Sequence, residues 1–243
     1  MLAVGGGAYY VNRLQDGSIV LDMPSRNVAD ETGKVVDNLL KKSTCKLDEL
    51  VGYLKKIDEY SGTNYSDEFA TLRKWPDEIQ IPKDTSVLNP DGSIKWSEVP
   101  NGGYVLDKDG NAIKEVFVPK MGEIIDRYGP PNGRYTSPVI DEKPYDYGQR
   151  SLPYVEDTTK YHQYEVIGDF SRLEEIVLNC KDKELKLKVE AQIERYYNGD
   201  YSKVVSQKGG IAEGFGSPGG RIQYELPLPV EWLEDLGLLR EIK

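Results

Sequence analysis

The stretch GEIIDRYGPPNGRYTSP, residues 122–138, decides how this chain is read. It opens a region, residues 121–168, that is dense in Gly, Pro, Tyr and Arg with short apolar runs between them. Arg127 and Arg134 lie in it, beside turns rather than on a helical face, and Arg150 and Arg221 sit in similar surroundings further along. An arginine carries a planar, permanently charged fork that suits phosphate oxygens. Several such forks in an acidic chain point to a local anion-binding pocket. Spacing alone is explained more simply by ordinary surface or ion-paired arginines.

Downstream of this stretch, YEVI at 164–167 reads as a strand. Ser171-Arg172-Leu173-Glu174 has the form of a capping box, and a charged amphipathic helix is expected from there to about Tyr197, closed by Asn198-Gly199. A glycine-rich stretch, 209–220, precedes a strand over 221–226. Pro229 suits the first turn of a last short helix.

Upstream, residues 76–120 read as strands and turns, with Asp91-Gly92 and Asp109-Gly110 marking hairpins. Asp107-Lys108-Asp109-Gly110 lacks the spaced acidic ligands of a calcium loop and reads as a plain turn. From Val28 to about Trp75 the pattern is helical: Val35, Val36, Leu39 and Leu40, then Leu47, Leu50, Val51, Leu54 and Ile57. Residues 1–23 read as a hairpin about Asp16-Gly17. Gly5-Gly6-Gly7 completes no phosphate-loop pattern.

The 243 residues suffice for one full-sized domain and a smaller one or an extension. The division expected is 1–95, a hairpin and helical extension or linker, and 96–243, a domain in which 171–197 is a helical insertion. A net charge of −10 argues against a nucleic-acid surface, although a small anionic ligand needs only a few local cations. One histidine and two distant cysteines, Cys45 and Cys180, form no zinc spacing, and no metal site is expected. A disulfide between the two stays open. No apolar run reaches the roughly 20 residues of a membrane-spanning helix. The first residues lack a leader's positive region, and the chain fits the tail of a longer protein.

Five further strings accompany the opening one. WSEVPNGGYV (96–105) precedes it, and QRSLP (149–153), YHQYEV (161–166), IAEGFGSPGGRIQYELP (211–227) and LEDLGLLREI follow. Together and in this order they resemble the tuberculosis necrotizing toxin (TNT) family of NAD glycohydrolases, over roughly residues 96–243. The resemblance implies that Arg127, Tyr135, Arg150, His162 and Gln223 line one NAD cleft. His162, Gln223 and Arg150 would be its catalytic residues, and Arg127, Tyr135, Gly219 and Gly220 its substrate-binding ones. The family's Gly-Gln-Pro-Gly-Gly-Gly run reads Gly216-Ser217-Pro218-Gly219-Gly220-Arg221 here, so the loop is altered.

The implied activity is hydrolysis of the nicotinamide–ribose bond of NAD, and of NADP, with neither a metal nor a cofactor. Nicotinamide departs neutral from a cation, so the site needs positioning and electrostatics more than strong acid catalysis. The implied setting is a secreted or delivered polymorphic toxin, the C-terminal part of an exported protein, with a cognate immunity protein. Two other readings stay open. Gln223-Tyr224-Glu225 is a Q-x-E string of the kind ADP-ribosyltransferase toxins use, and a non-catalytic interaction module would use the acidic and helical surfaces. The expected fold class is α+β: a small, strongly bent antiparallel sheet with peripheral helices, after a helical N-terminal region.

Overall fold

The computed structural model describes residues 40–43, 45–72, 75–76 and 79–243, together with the backbone of four short strands near the N-terminus. These are β1 (Ala3–Val4) and β2 (Gly7–Ala8), paired antiparallel, and β3 (Tyr10–Arg13) and β4 (Ile19–Asp22), likewise paired. The Asp16-Gly17 turn and the helical pattern expected over 28–39 lie outside the described residues. The chain divides into two compact units: Met1–Lys95 with Pro153–Glu156, and Trp96–Leu152 with Asp157–Lys243.

In the first unit, α1 (Leu47–Ser61) buries Leu50, Tyr53 and Leu54, spaced three and four apart as one helical face requires. Gly62 ends it in the left-handed region, φ 69°, its amide donating to the Asp58 carbonyl at 2.8 Å. The Asp58 carboxylate then accepts from the amides of Tyr65 and Ser66, at 2.7 and 2.8 Å, which starts α2 (Tyr65–Leu72). Phe69, Trp75, Ile81 and Val155 complete this core, with the Phe69 and Trp75 rings edge to face at 5.3 Å. Cys45 is buried there, and both cysteines are free thiols.

The second unit is a seven-stranded antiparallel sheet with helices, the α+β class expected. Its strands are β5 (Lys114–Phe117), β6 (Ile124–Tyr128), β7 (Tyr135–Pro138), β8 (Tyr161–Val166), β9 (Ser206–Gly210), β10 (Ile222–Glu225) and β11 (Leu239–Glu241). Their order across the sheet is β11-β8-β6-β7-β10-β9-β5. Ile125, Tyr164, Val166 and Tyr224 point from it into the core. Alternation along each strand leaves Asp126, Gln163, Gln223 and Glu225 on the opposite face.

The 171–197 segment is two helices rather than one, and it belongs to the core. Asp169 accepts from the Ser171 amide at 3.0 Å and starts a short turn leading into α3 (Leu173–Leu178). Asp182 then caps α4 (Lys183–Tyr197) through the amides of Glu184 and Leu185, at 2.9 and 3.0 Å, and left-handed Asn198 ends it. Leu173, Val177, Leu185, Val189 and Ile193 pack with the sheet and with α5 (Val230–Asp235). A helix pair that supplies this much of the buried surface is part of the fold's foundation.

The Asp107 turn is the plain one its sequence suggests. Asp107 Oδ1 accepts from the amides of Asp109 and Asn111, both at 2.9 Å, so the oxygen serves the backbone.

Candidate functional site

Arg127 on β6 and His162 on β8 are directly paired in register and share a face of the sheet. This is the core-facing side, continued outward past Tyr164 to where solvent reaches. Tyr164 lies two residues along β8 from His162, and their rings stack with centroids 6.3 Å apart. His162 Nδ1 lies 2.6 Å from Glu241 Oε1 on β11. Arg127 is half-buried, and among the described residues no carboxylate pairs with it. Its guanidinium donates only long contacts to carbonyls, Nε to Gly129 and Nη1 to Tyr135, both 3.4 Å. Burial pulls its pKa below the ordinary arginine value, yet an arginine stays protonated in a protein.

The loop 129–134 forms the wall behind Arg127. Its backbone is tied to the following core segment: Leu226 N donates to Arg134 O at 2.8 Å and Val230 N to Gly133 O at 3.0 Å. A Cβ on Gly133 would overlap the Arg127 guanidinium, so glycine here makes room for that side chain.

Tyr135, Gln223 and Glu225 gather on the other face. Glu225 pairs with Tyr135 in register, and Gln223 sits two residues before it on β10. Gln223 Nε2 donates to the Gly102 carbonyl at 2.7 Å. A Cβ on Gly102, whose φ is 75°, would lie 2.7 Å from the Tyr135 hydroxyl. The turn Pro100–Gly103 therefore closes tightly over both side chains. Beside it opens a cleft of about 360 Å³ lined by Asn101, Asn111, Ala112, Lys114, Tyr135 and Glu225.

Glu225 is buried and fully engaged. Arg134 pairs with Oε1, Lys114 Nζ lies 3.1 Å from Oε2, and the Tyr104 hydroxyl lies 3.4 Å from Oε2. Burial alone would raise the Glu225 carboxyl. Arg134 and Lys114 outweigh it and hold the group below the ordinary glutamate value.

Arg150 is placed differently from the phosphate-clamping role expected of it. It is buried, 7% exposed, and grips fully buried Asp126 with both terminal nitrogens, each at 2.7 Å. Its Nε donates to the Tyr145 carbonyl at 3.3 Å, and the rings of Tyr128 and Tyr145 cover it at 5.4 and 5.9 Å. The Tyr161 hydroxyl completes the Asp126 shell at 2.8 Å. Every fork of Arg150 faces protein, so it orders the strands instead of presenting charge to a ligand.

The glycines expected at the substrate serve the loop itself. Gly219 is buried, with φ 61°, and a Cβ there would overlap the Ala212 carbonyl; the Gly220 amide donates to Ile211 O at 2.8 Å. The seven expected residues therefore form separate groups. Arg127 and His162 meet on one face, Tyr135 and Gln223 meet on the other, and Arg150, Gly219 and Gly220 stand apart. Tyr135 links the first two groups, since its carbonyl receives Arg127 while its ring lines the cleft. Sequence reasoning overlooked Asp126, Glu241 and Lys114. Their partners lie 24, 79 and 111 residues away, beyond the reach of any local pattern.

Residues 120–181 match the family model described as tuberculosis necrotizing toxin. A solved structure of tuberculosis necrotizing toxin complexed with its immunity factor IFT is similar at 20% identity and a TM-score of 0.38. That similarity covers 63% of this chain and 65% of the toxin chain, so this chain spans just under two thirds of its length. No curated protein matches. The matched segment runs through β6, β7 and β8 and contains Arg127, Tyr135, Arg150 and His162. Over this segment, about a quarter of its length, the chain is similar to the tuberculosis necrotizing toxin family.

Proposed function

We propose that this protein is a toxin that hydrolyses the nicotinamide–ribose bond of NAD, and of NADP, releasing nicotinamide and ADP-ribose or its 2′-phosphate. The observation that carries the reading is Arg127: a half-buried cation with no carboxylate partner among the described residues, beside His162, inside the family segment. A buried charge without a counter-ion is costly. An anionic ligand removes that cost on binding, and the pyrophosphate of a dinucleotide supplies the charge in a shape two arginine nitrogens can grip.

His162, held by Glu241, is the group beside Arg127 able to orient a water or a ribose hydroxyl. Gln223 and Tyr135 lie on the opposite face of the sheet, where they hold the Pro100–Gly103 turn, and in this reading they support the site through that turn. Cleavage expels neutral nicotinamide and leaves an oxocarbenium-like ribose that water captures, so the work is positioning. Delivery into a target cell, as the C-terminal part of an exported protein, belongs to the same reading. So does a cognate immunity protein, because a cell making an NAD-cleaving enzyme must block it.

The ADP-ribosyltransferase alternative needs Glu225 free to engage ribose. Its two oxygens are already taken by Arg134, Lys114 and Tyr104, which favours hydrolysis. The test is nicotinamide release from NAD by the purified chain, with His162→Ala and Gln223→Ala as controls. Release tens of times above both variants is expected. No release above them refutes the proposal, and transfer of labelled ADP-ribose to protein establishes the alternative.

A further inference from the structure

The last strand brings a carboxylate to the one histidine of the chain. β11 pairs antiparallel with β8, Glu241 against Tyr164, so Glu241 lies diagonally across from His162 on the face that Arg127 shares. The backbone around it is tied on both sides. The Glu241 amide donates to Glu234 Oε1 on α5 at 2.9 Å. Beyond it Ile242 N donates to Gln163 O and Gln163 N donates to Lys243 O, both at 2.8 Å. The charged groups around the imidazole are thus Glu241 from β11, Glu234 from α5 and Arg127 from β6.

Glu241 Oε1 lies 2.6 Å from His162 Nδ1. An ionised carboxylate accepts and does not donate, so Nδ1 carries the hydrogen and donates it. In a neutral ring this leaves a lone pair on Nε2. Free histidine favours the other tautomer, so the carboxylate makes the choice. Nε2 has no hydrogen-bond partner among the described residues, and the side chain is 26% exposed. We infer that Glu241 is a positioning residue for cleavage, fixing His162 in the tautomer whose Nε2 takes the proton of the attacking water. This rests on the hydrolase reading above. As the water oxygen bonds to the ribose carbon, the carbon–nitrogen bond breaks and nicotinamide leaves with its electron pair. The water proton passes to Nε2, Glu241 stabilises the imidazolium so formed, and the ring later gives the proton to solvent. Dinucleotide and water thereby become nicotinamide, ADP-ribose and one proton.

A single histidine makes the tautomer directly readable. Nitrogen-15 resonances of the imidazole report which nitrogen is protonated. They are recorded on the full chain without a histidine tag, at about pH 8.5, some two units above an ordinary histidine pKa. Wild type is expected to carry its hydrogen on Nδ1 alone. Glu241→Ala is expected to move the population to Nε2–H. It should also lower kcat for nicotinamide release about 10- to 100-fold, with KM within about twofold. Glu241→Gln keeps an oxygen that accepts from Nδ1–H, so it should keep the tautomer and recover part of kcat. The Glu241 side chain is 43% exposed, and its loss should move the melting temperature by only about a degree or two. A wild-type hydrogen on Nε2, a ring protonated at both nitrogens at that pH, or a kcat unmoved by Glu241→Ala each overturns the inference. No release by wild type, with the tautomer shift as expected, supports the Glu241–His162 assignment and refutes the hydrolase reading. Release with the hydrogen on Nε2 refutes only the role of Glu241.

Discussion

Arg127 and His162 face each other across β6 and β8; His162 has a carboxylate, Glu241 at 2.6 Å, and among the described residues Arg127 has none. The asymmetry separates two roles. His162 is oriented by a carboxylate, whereas Arg127 makes only long contacts to carbonyls among the described residues, as the proposed anion-binding role requires. Replacing Arg127 with Met removes a half-buried charge and is expected to leave the melting temperature unchanged or raise it. It should lower kcat/KM for NAD by about 10- to 100-fold, the loss of one or two charge-assisted hydrogen bonds. A fall in stability matching the fall in activity would show that Arg127 is structural.

Gly133 gives a finer probe of the same guanidinium. Its backbone lies in an ordinary region, so alanine is not strained there, but the new methyl would overlap the Arg127 terminal nitrogens. The far end of an arginine moves at little cost, and Gly133→Ala should shift the melting temperature by only a degree or two, about 0.5 kcal/mol. Displacing the fork should raise KM for NAD severalfold. Unchanged KM would mean that the observed Arg127 position is not the binding one.

The Asp126–Arg150 pair predicts the opposite pattern. Removing one partner of a buried, bidentate pair strands a charge and costs about 3–5 kcal/mol. Arg150→Met and Asp126→Asn should each lower the midpoint of chemical denaturation strongly. The double variant should be less destabilised than the sum of the two. If Arg150→Met instead preserves stability and abolishes NAD binding, the arginine is a ligand contact.

How far the sequence revealed this arrangement depends on distance along the chain. The Asp107 turn and the helix end at Asn198 were legible because they act locally, within four residues of what they satisfy, whereas the cap read at Ser171 is made by Asp169 and the helix start capped by Asp182 was not read. The apolar faces of α1 and α4 follow from spacing. The site was legible only through ordered motifs, and these do not state which face a residue takes. In IIDRY, strand alternation already sends Asp126 and Arg127 to opposite sides. Knowing that His162 shares a side with Arg127, and that Gln223 does not, needs the register through β7 to β10. Arg150 looked like a phosphate clamp because its partner, Asp126, stands 24 residues before it on a strand that had no assigned register.

Glu225 supplies the pH-dependent prediction. Its folded-state carboxyl lies below the ordinary glutamate value, because Arg134 and Lys114 outweigh the effect of burial. A lowered carboxylate stabilises the fold above its unfolded pKa, roughly 4.3, and that contribution fades as pH falls through the lower folded value. Wild-type stability should therefore be flat near neutrality and fall below about pH 4. Glu225→Gln removes the charge while keeping the shape. It should lower the melting temperature at pH 7, where Arg134 and Lys114 lose their counter-ion, and reduce the difference from wild type as acid protonates the native glutamate. Melting curves at pH 7 and pH 3.5 measure this directly. A gap between the two proteins that is as wide at pH 3.5 as at pH 7 would mean that the Glu225 charge does not hold this corner of the sheet together.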